Sequence, residues 1–213
     1  MNFVNKEIEN YAAAHSDAES DLLKKLNRHT YANVLQPRML SGHLQGRILA
    51  MLSRMIKPNA ILEIGTYTGY SALCLAEGLQ PKGFLHSIDV NAELYETTRQ
   101  FIDQSEYKTQ IHLHVGAALQ IIPTLNTMFD MVFIDADKEN YCAYLDVAIN
   151  CVYSGGYIIA DNVLWSGNVV KPITEQDRNT APVIAFNEKV LADNRLRKVL
   201  LPIRDGLMIC QKI

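Results

Sequence analysis

Two short acidic segments carry the residues best equipped for chemistry in this 213-residue chain. One is Phe133-Ile134-Asp135-Ala136-Asp137-Lys138; the other is Ile159-Ala160-Asp161-Asn162. Each is an apolar run of strand length that ends in acids. Asp135, Asp161 and Asn162 offer three hard oxygen ligands, and neither segment holds a cysteine or histidine. That donor set suits Mg²⁺, with Mn²⁺ or Ca²⁺ as alternative occupants, and argues against zinc. Mg²⁺ takes about six ligands, so three from protein leave positions for a bidentate diol and a water. Lys138 follows Asp135 closely and is a candidate base. The competing reading is structural, because an Asp at the end of a strand often caps the next helix. His112 and His114 share a strand face by alternation, which leaves open a second metal or a packed or solvated face.

A second constellation precedes these. Ile61-Leu62-Glu63-Ile64-Gly65-Thr66-Tyr67-Thr68-Gly69-Tyr70-Ser71 reads as a strand, a glycine turn and a helix start. Gly65 permits a sharp turn and close approach to a ligand. The helix after Gly69 presents unpaired amide groups to an anionic group such as a carboxylate. Asp89 ends the next strand, where an acid that binds ribose hydroxyls usually stands. Glu63 suits a cationic amine. Position 67 is Tyr67, so the GxGxxG pattern of a dinucleotide site is broken, and no tyrosine has a lysine four residues later. An α-amino acid carries both an amine and a carboxylate, so adenosylmethionine fits better here than NAD.

These residues need a frame that brings strand ends together. Apolar strands are expected at 60–64, 84–88, 111–115, 130–134 and 157–161, with helices after Gly69 and near 92–104, 117–122 and 139–151. Strand and helix alternate five times, which predicts a Rossmann-like, doubly wound α/β fold with a mostly parallel sheet. A polar connection over 162–180 and a helix near 181–193 follow. Segments 196–201 and 207–212, joined by a turn with Asp205-Gly206, predict an antiparallel hairpin that completes seven strands. Residues 3–57 read as helices: Ile8, Tyr11 and Ala12 recur at helical spacing, as do Leu22, Leu23 and Leu26. Gln36-Pro37 interrupts them, and a third helix runs over about 42–55. The expectation is one domain over 1–213, with helices to 57 packed on a core from 58. In such a sheet, Asp135 and Asp161 converge outside the carboxyl ends of their strands.

Composition removes several function classes. The formal net charge is −3 and hydrophobic residues make up 48%, which gives no basic face for nucleic acid. No apolar stretch reaches membrane-spanning length, and the first residues lack an apolar signal core. Cys74, Cys142, Cys151 and Cys210 form no CxxC pair and read as small hydrophobes in a reducing compartment. A cytoplasmic enzyme is the expectation.

Taken together, the motifs resemble the metal-dependent catechol and caffeoyl-CoA O-methyltransferase family. The likeness rests on Met39-Leu40-Ser41 with Gly46, Leu62 to Gly65 with Thr68 to Ser71, Ser87-Ile88-Asp89, Asp130 to Lys138, and Ala160-Asp161-Asn162. The resemblance implies that Glu63, Gly65, Thr66, Ser71, Asp89 and Asp135 hold S-adenosylmethionine, with Ala118 near its adenine. Met39 and Ser41 would line the cleft for cofactor and substrate. Asp135, Asp161 and Asn162 would bind the metal, and Lys138 would be the general base. It also implies a homodimer, to which Leu22, Leu23 and Leu26 are candidates to contribute, although packing within the chain explains them as well.

The acceptor is expected to be a small catechol. Trp165, Tyr141 and Met39, with Ser166, are candidates for its pocket, the first three fitting a core position equally well; Arg178, Lys171 and Arg204 are candidates for an acidic ring substituent or a solvated surface. Plant caffeoyl-CoA enzymes usually have Asn where Ser166 stands, and a Tyr- and Arg-rich segment where this chain has Asn179 to Val183. A free catechol is therefore preferred to a CoA thioester. The rival readings are a metal-free methyltransferase, an NAD-dependent oxidoreductase and a non-catalytic dimer that keeps the fold.

Overall fold

The computed structural model describes residues 5–213. The first two positions of the expected N-terminal helical region, 3 and 4, lie outside the described residues. Strands β1 (Ala60–Ile64), β2 (Phe84–Asp89), β3 (Ile111–Val115), β4 (Phe129–Ile134), β5 (Val152–Asp161), β6 (Leu196–Leu201) and β7 (Leu207–Lys212) form one sheet. Its order is β3-β2-β1-β4-β5-β7-β6. The first five strands are parallel; β7 pairs antiparallel with both β5 and β6. The expected seven-stranded, mostly parallel architecture with a terminal hairpin is present.

Helices cover both faces. Helices α2 (Asp21–Asn33), α3 (Gly42–Ile56), α4 (Tyr70–Ala76) and α5 (Tyr95–Asp103) lie on one face, and α6 (Ala118–Leu125), α7 (Tyr141–Cys151) and α8 (Thr180–Ala192) on the other. Alternation along β1 divides the core: Leu62 and Ile64 face α6–α8, while Ile61 faces α2–α5. All five residues of β1 are buried, as a central parallel strand requires. By the same alternation Glu63 falls on the Ile61 face, inside the protein.

The boundaries differ where tertiary contacts override local signals. Helix α6 runs through Pro123 to Leu125, beyond the expected end, because Ala118 and Ile122 hold it on the sheet. Strand β5 begins at Val152, five residues before the expected start at 157. Its first part pairs out of step: Phe129 faces Val152, whereas Met131 faces Tyr157. The extra residues bulge out at Gly155, which has φ of +86°. The 162–180 connection holds 3₁₀ turns over Trp165–Val170, broken by the left-handed Ser166 and Gly167, and over Ile173–Glu175.

Helix α1 (Lys6–Ala14) buries none of its residues, so the periodic Ile8 and Tyr11 point to solvent. Leu23 and Leu26 of α2 are buried against the chain's own core. Of the two readings open for them, packing within the chain is the one that accounts for these two side chains. All four cysteines are free, and Cys74 and Cys210 are buried.

Candidate functional site

The strand order reverses at β1, between β2 on one side and β4 on the other, and the candidate site opens at the carboxyl ends of β1 and β4. Gly65 is the joint. Its φ is +101°, and a Cβ there would stand 1.9 Å from the Asp135 carbonyl oxygen. The absent side chain thus lets two backbones touch, which is a packing reason beyond the ligand approach expected from sequence. Gly65 N donates to Ile88 O at 2.9 Å, and Asp135 N donates to Ile64 O at 2.9 Å. These bonds tie the β1 and β4 loops to the sheet. The resulting cleft has a volume of about 1950 Å³, more than the roughly 300–1,000 Å³ of a single small-molecule pocket.

The acidic loops meet in this cleft. Lys138 Nζ lies 2.9 Å from Asn162 Oδ1 and 3.5 Å from Asp135 Oδ1, and it contacts the Tyr141 hydroxyl. The ammonium sits 4.3 Å from the Tyr141 ring centroid and 5.8 Å from that of Trp165. With its side chain only 6% exposed, Lys138 is no surface lysine. Asp161 is buried; its Oδ1 accepts from Asn162 N at 2.8 Å and its Oδ2 from Gln45 Nε2 at 2.5 Å. Burial, with Asp135 nearby, raises the Asp161 pKa.

Neither Asp135 nor Asp161 caps a helix. The cap positions there are Asp137 and Asn140, and neither side chain accepts from a backbone N–H of the helix it precedes. The structural alternative for these two acids therefore fails. Two of the three expected oxygen ligands are already bridged by a positive charge, and the third, Asp161, has only neutral donors. The set fits a hard divalent cation.

The glycine-turn residues divide between lining and support. Gly65, Thr66, Ser71, Asp89 and Ala118 line the cleft. Asp89 Oδ2 accepts from Thr66 N at 3.0 Å and Tyr67 N at 2.8 Å, and its Oδ1 from Asn91 N at 2.9 Å. A carboxylate has about four acceptor sites, so roughly one remains for a ligand hydroxyl. Glu63 is fully buried and does not line the cleft. Ser87 Oγ donates to its Oε2 at 2.5 Å, while Oε1 has no partner. Burial pushes the Glu63 carboxyl up to about 8, against the Ser71 and Ser87 hydroxyls that lower it.

Met39, Ser41, Trp165 and Ser166 also line the cleft, with Met39 59% exposed at its rim. Tyr141 does not. It is fully buried, edge-on to Phe186, and its hydroxyl donates to Asp161 O at 3.0 Å. It supports the floor and is no part of an aromatic pocket. Trp165 is held by Nε1, which donates to Asp177 Oδ1 at 2.9 Å. Arg178 and Arg204 reach the cleft; Lys171 does not.

His86 joins His112 and His114. His86 Nδ1 is 2.8 Å from His114 Nε2, and the His86 and His112 ring centroids are 5.2 Å apart. Among the described residues no group of three or more His, Cys, Asp and Glu side chains is placed to hold a metal. The second metal centre left open for His112 and His114 is thereby set aside in favour of a face that is partly packed and partly solvated, with His112 exposed and His86 and His114 half-buried. The Asp135–Asp161–Asn162 set has two acids and an amide, a different composition.

Sequence reasoning missed Gln45 and left Tyr141 open between pocket and core. Gln45 carries a faint signal: it stands in line with Leu49 and Ser53 on the buried stripe of α3, where a long polar side chain needs a partner.

The O-methyltransferase family pattern matches residues 13–213, which spans the sheet, the cleft and both acidic loops. The chain belongs to the O-methyltransferase family. A caffeoyl-CoA O-methyltransferase of Petroselinum crispum is 35% identical over 180 residues, covering 79% of this chain and 75% of the relative. Among solved structures, the O-methyltransferase from Bacillus cereus in complex with SAH superposes with a TM-score of 0.89 at 26% identity, covering 97% of each chain. The O-methyltransferase TomG from Streptomyces achromogenes, in complex with SAM, gives 0.87 at 27% identity, covering 97% of this chain and 96% of that one. For this member of the O-methyltransferase family, no helix among the described residues is long and apolar enough to cross a membrane.

Proposed function

We propose that this protein transfers the methyl group of S-adenosylmethionine to one hydroxyl of a catechol-type ring, with Mg²⁺ held by Asp135, Asp161 and Asn162 and with Lys138 as general base. The observation that carries the reading is the meeting of Lys138 with Asp135 and Asn162 in one cleft beside the Gly65 turn. The cleft's volume accommodates donor and acceptor together. Solved relatives with SAH and SAM support the donor. On this reading Gly65, Thr66, Ser71, Asp89 and Ala118 hold the donor, and Asp89 uses its remaining acceptor site on a ribose hydroxyl.

The chemistry divides simply. A C–O bond forms at the acceptor, the C–S bond of the sulfonium breaks, and the phenolic proton leaves. A phenol has a pKa of about 10, so few molecules are ionised at pH 7. A divalent cation held by Asp135, Asp161 and Asn162 would supply positive charge that favours the ionised phenol. On this reading Lys138 Nζ is the group that accepts the proton, a role it can fill only in turnovers where its own proton has first been released from the contact with Asp135. The Tyr141 hydroxyl and Asn162 Oδ1 fix that nitrogen from two sides. Trp165, anchored on Asp177, offers a flat wall.

Lys138→Ala is expected to keep SAH affinity and to lose turnover by about 10²–10⁴-fold, the range of a general base. Full turnover in this variant removes Lys138 from the mechanism. EDTA is expected to abolish methylation of a catechol and Mg²⁺ to restore it; chelator-resistant transfer favours the metal-free reading. The name of the plant relative supports a second reading, a caffeoyl-CoA thioester as acceptor. Comparing kcat/KM for a free catechol and its CoA thioester decides between them. The family likeness also supports a homodimer, which light scattering tests, and a cytoplasmic enzyme remains our reading.

A further inference from the structure

Helix α3 delivers one side chain to the acidic site from outside both acidic loops. Gln45 is 4% exposed, and its Nε2 donates to Asp161 Oδ2 at 2.5 Å across 116 residues of sequence. The docking that makes this possible is explicit. A Cβ at the neighbouring Gly46 would lie 2.7 Å from the Tyr70 ring and 2.9 Å from Cys74 Sγ. Glycine at 46 therefore lets α3 settle against α4, and that places Gln45 over the end of β5. Ser53, two turns on, ties the same helix face to α4 through a 2.6 Å bond to Leu75 O.

Asp161 needs such a partner more than Asp135 does. Lys138 gives its ammonium to Asp135 and Asn162 and makes no ion pair with Asp161. Asp161 is 4% exposed and close enough to Asp135 to feel its charge. Its carboxylate is held by two neutral donors, Asn162 N on Oδ1 and Gln45 Nε2 on Oδ2. The Asn162 bond is local and fixes only one oxygen. The Gln45 bond fixes the other, and with it the rotation of the carboxylate about its Cβ–Cγ bond. Each oxygen keeps a further lone pair, since a carboxylate accepts at about four sites.

We propose that Gln45 is a positioning residue that orients the Asp161 carboxylate for a divalent cation, and that the cation affinity of this protein depends on the Gln45 amide. The inference rests on the metal reading above and goes beyond it, because Gln45 is no ligand of the expected set. Partners that orient a ligating carboxylate matter by about 10–100-fold in metal affinity. Gln45→Met keeps the length and burial of the side chain and removes the donor. Gln45→Asn keeps the amide but shortens its reach by one carbon–carbon bond, about 1.5 Å.

The test is Mn²⁺ titration of the full chain followed by electron paramagnetic resonance, beside calorimetric SAH titration and thermal melting of the same samples. Gln45→Met is expected to weaken Mn²⁺ at least tenfold while SAH affinity stays within about twofold. Gln45→Asn is expected to weaken Mn²⁺ similarly, and it reads the same quantity if the methionine variant does not fold. Mn²⁺ affinity equal to wild type in either folded variant overturns the inference while leaving the metal reading intact. Parallel losses of Mn²⁺ and SAH affinity also overturn it, since they mark a general collapse of the cleft. Wild-type protein that binds SAH and no Mn²⁺ overturns both the metal reading and this one.

Discussion

Glu63 shows how a single side chain acquires its character from position. Its residue type suggests an anion facing a ligand's amine. Its place on the inner face of β1 makes it a carboxyl under the cleft, with one oxygen on Ser87 and the other unpartnered. Burial raises its pKa from 4.5 to about 8. The sign follows from proton counting: between those values the folded chain holds a proton that the unfolded chain releases. The associated stability is present below pH 4.5 and is lost as pH rises through about 8. Glu63→Gln is expected to flatten this decline, read as urea midpoints from pH 5 to 9 with SAH absent. An unchanged slope would show that Glu63 is ionised in the folded protein. The same logic runs at the acid end for His86, which burial, with His114 and His112, lowers to about 4. Its contribution falls as pH drops below the ordinary histidine value of about 6.5.

At the level of elements, the glycine turn after β1 does two things at once. It starts α4, and it brings β1 against the loop that carries Asp135. Gly65→Ala places a methyl group 1.9 Å from the Asp135 carbonyl at a φ of +101°, so backbone must move. The expected outcome is loss of SAH binding together with a fall in thermal midpoint, measured by calorimetry on the purified variant. Wild-type affinity and midpoint would mean that the two loops separate freely. The 162–180 connection shows a related economy. Asp177 accepts from Trp165, Asn168, Asn179 and Thr180, so one carboxylate organises the part of the cleft wall that carries Trp165. Periodicity revealed the helices and strands around these loops, because burial repeats at fixed spacing. It did not reveal the bulge at Gly155 or the continuation of α6 past Pro123, which depend on neighbouring strands.

For the molecule as a whole, the N-terminal helices are the element whose apolar stripe had two readings, a partner surface or packing within the chain. Leu23 and Leu26 repeat as an interface helix would, yet they fill the α2–α5 side of the core. Leu26→Ala is expected to cost about 2–5 kcal/mol of unfolding free energy, with no change of molar mass by light scattering. A lower mass with little loss of stability would return these leucines to a partner surface.

The sequence by itself determined the strand–helix alternation, the hairpin, and the identity of the acids at the ends of β4 and β5, since those features are written in local periodicity and residue type. It also carried the family likeness, which lies in short motifs. Only the tertiary structure decided which polar groups meet. Lys138 reaches Asn162 across 24 residues, and Gln45 reaches Asp161 across 116. Those pairings depend on how closely backbones approach, which Gly46 and Gly65 permit by having no side chain. Local spacing does not encode such distances; close packing of the assembled elements does.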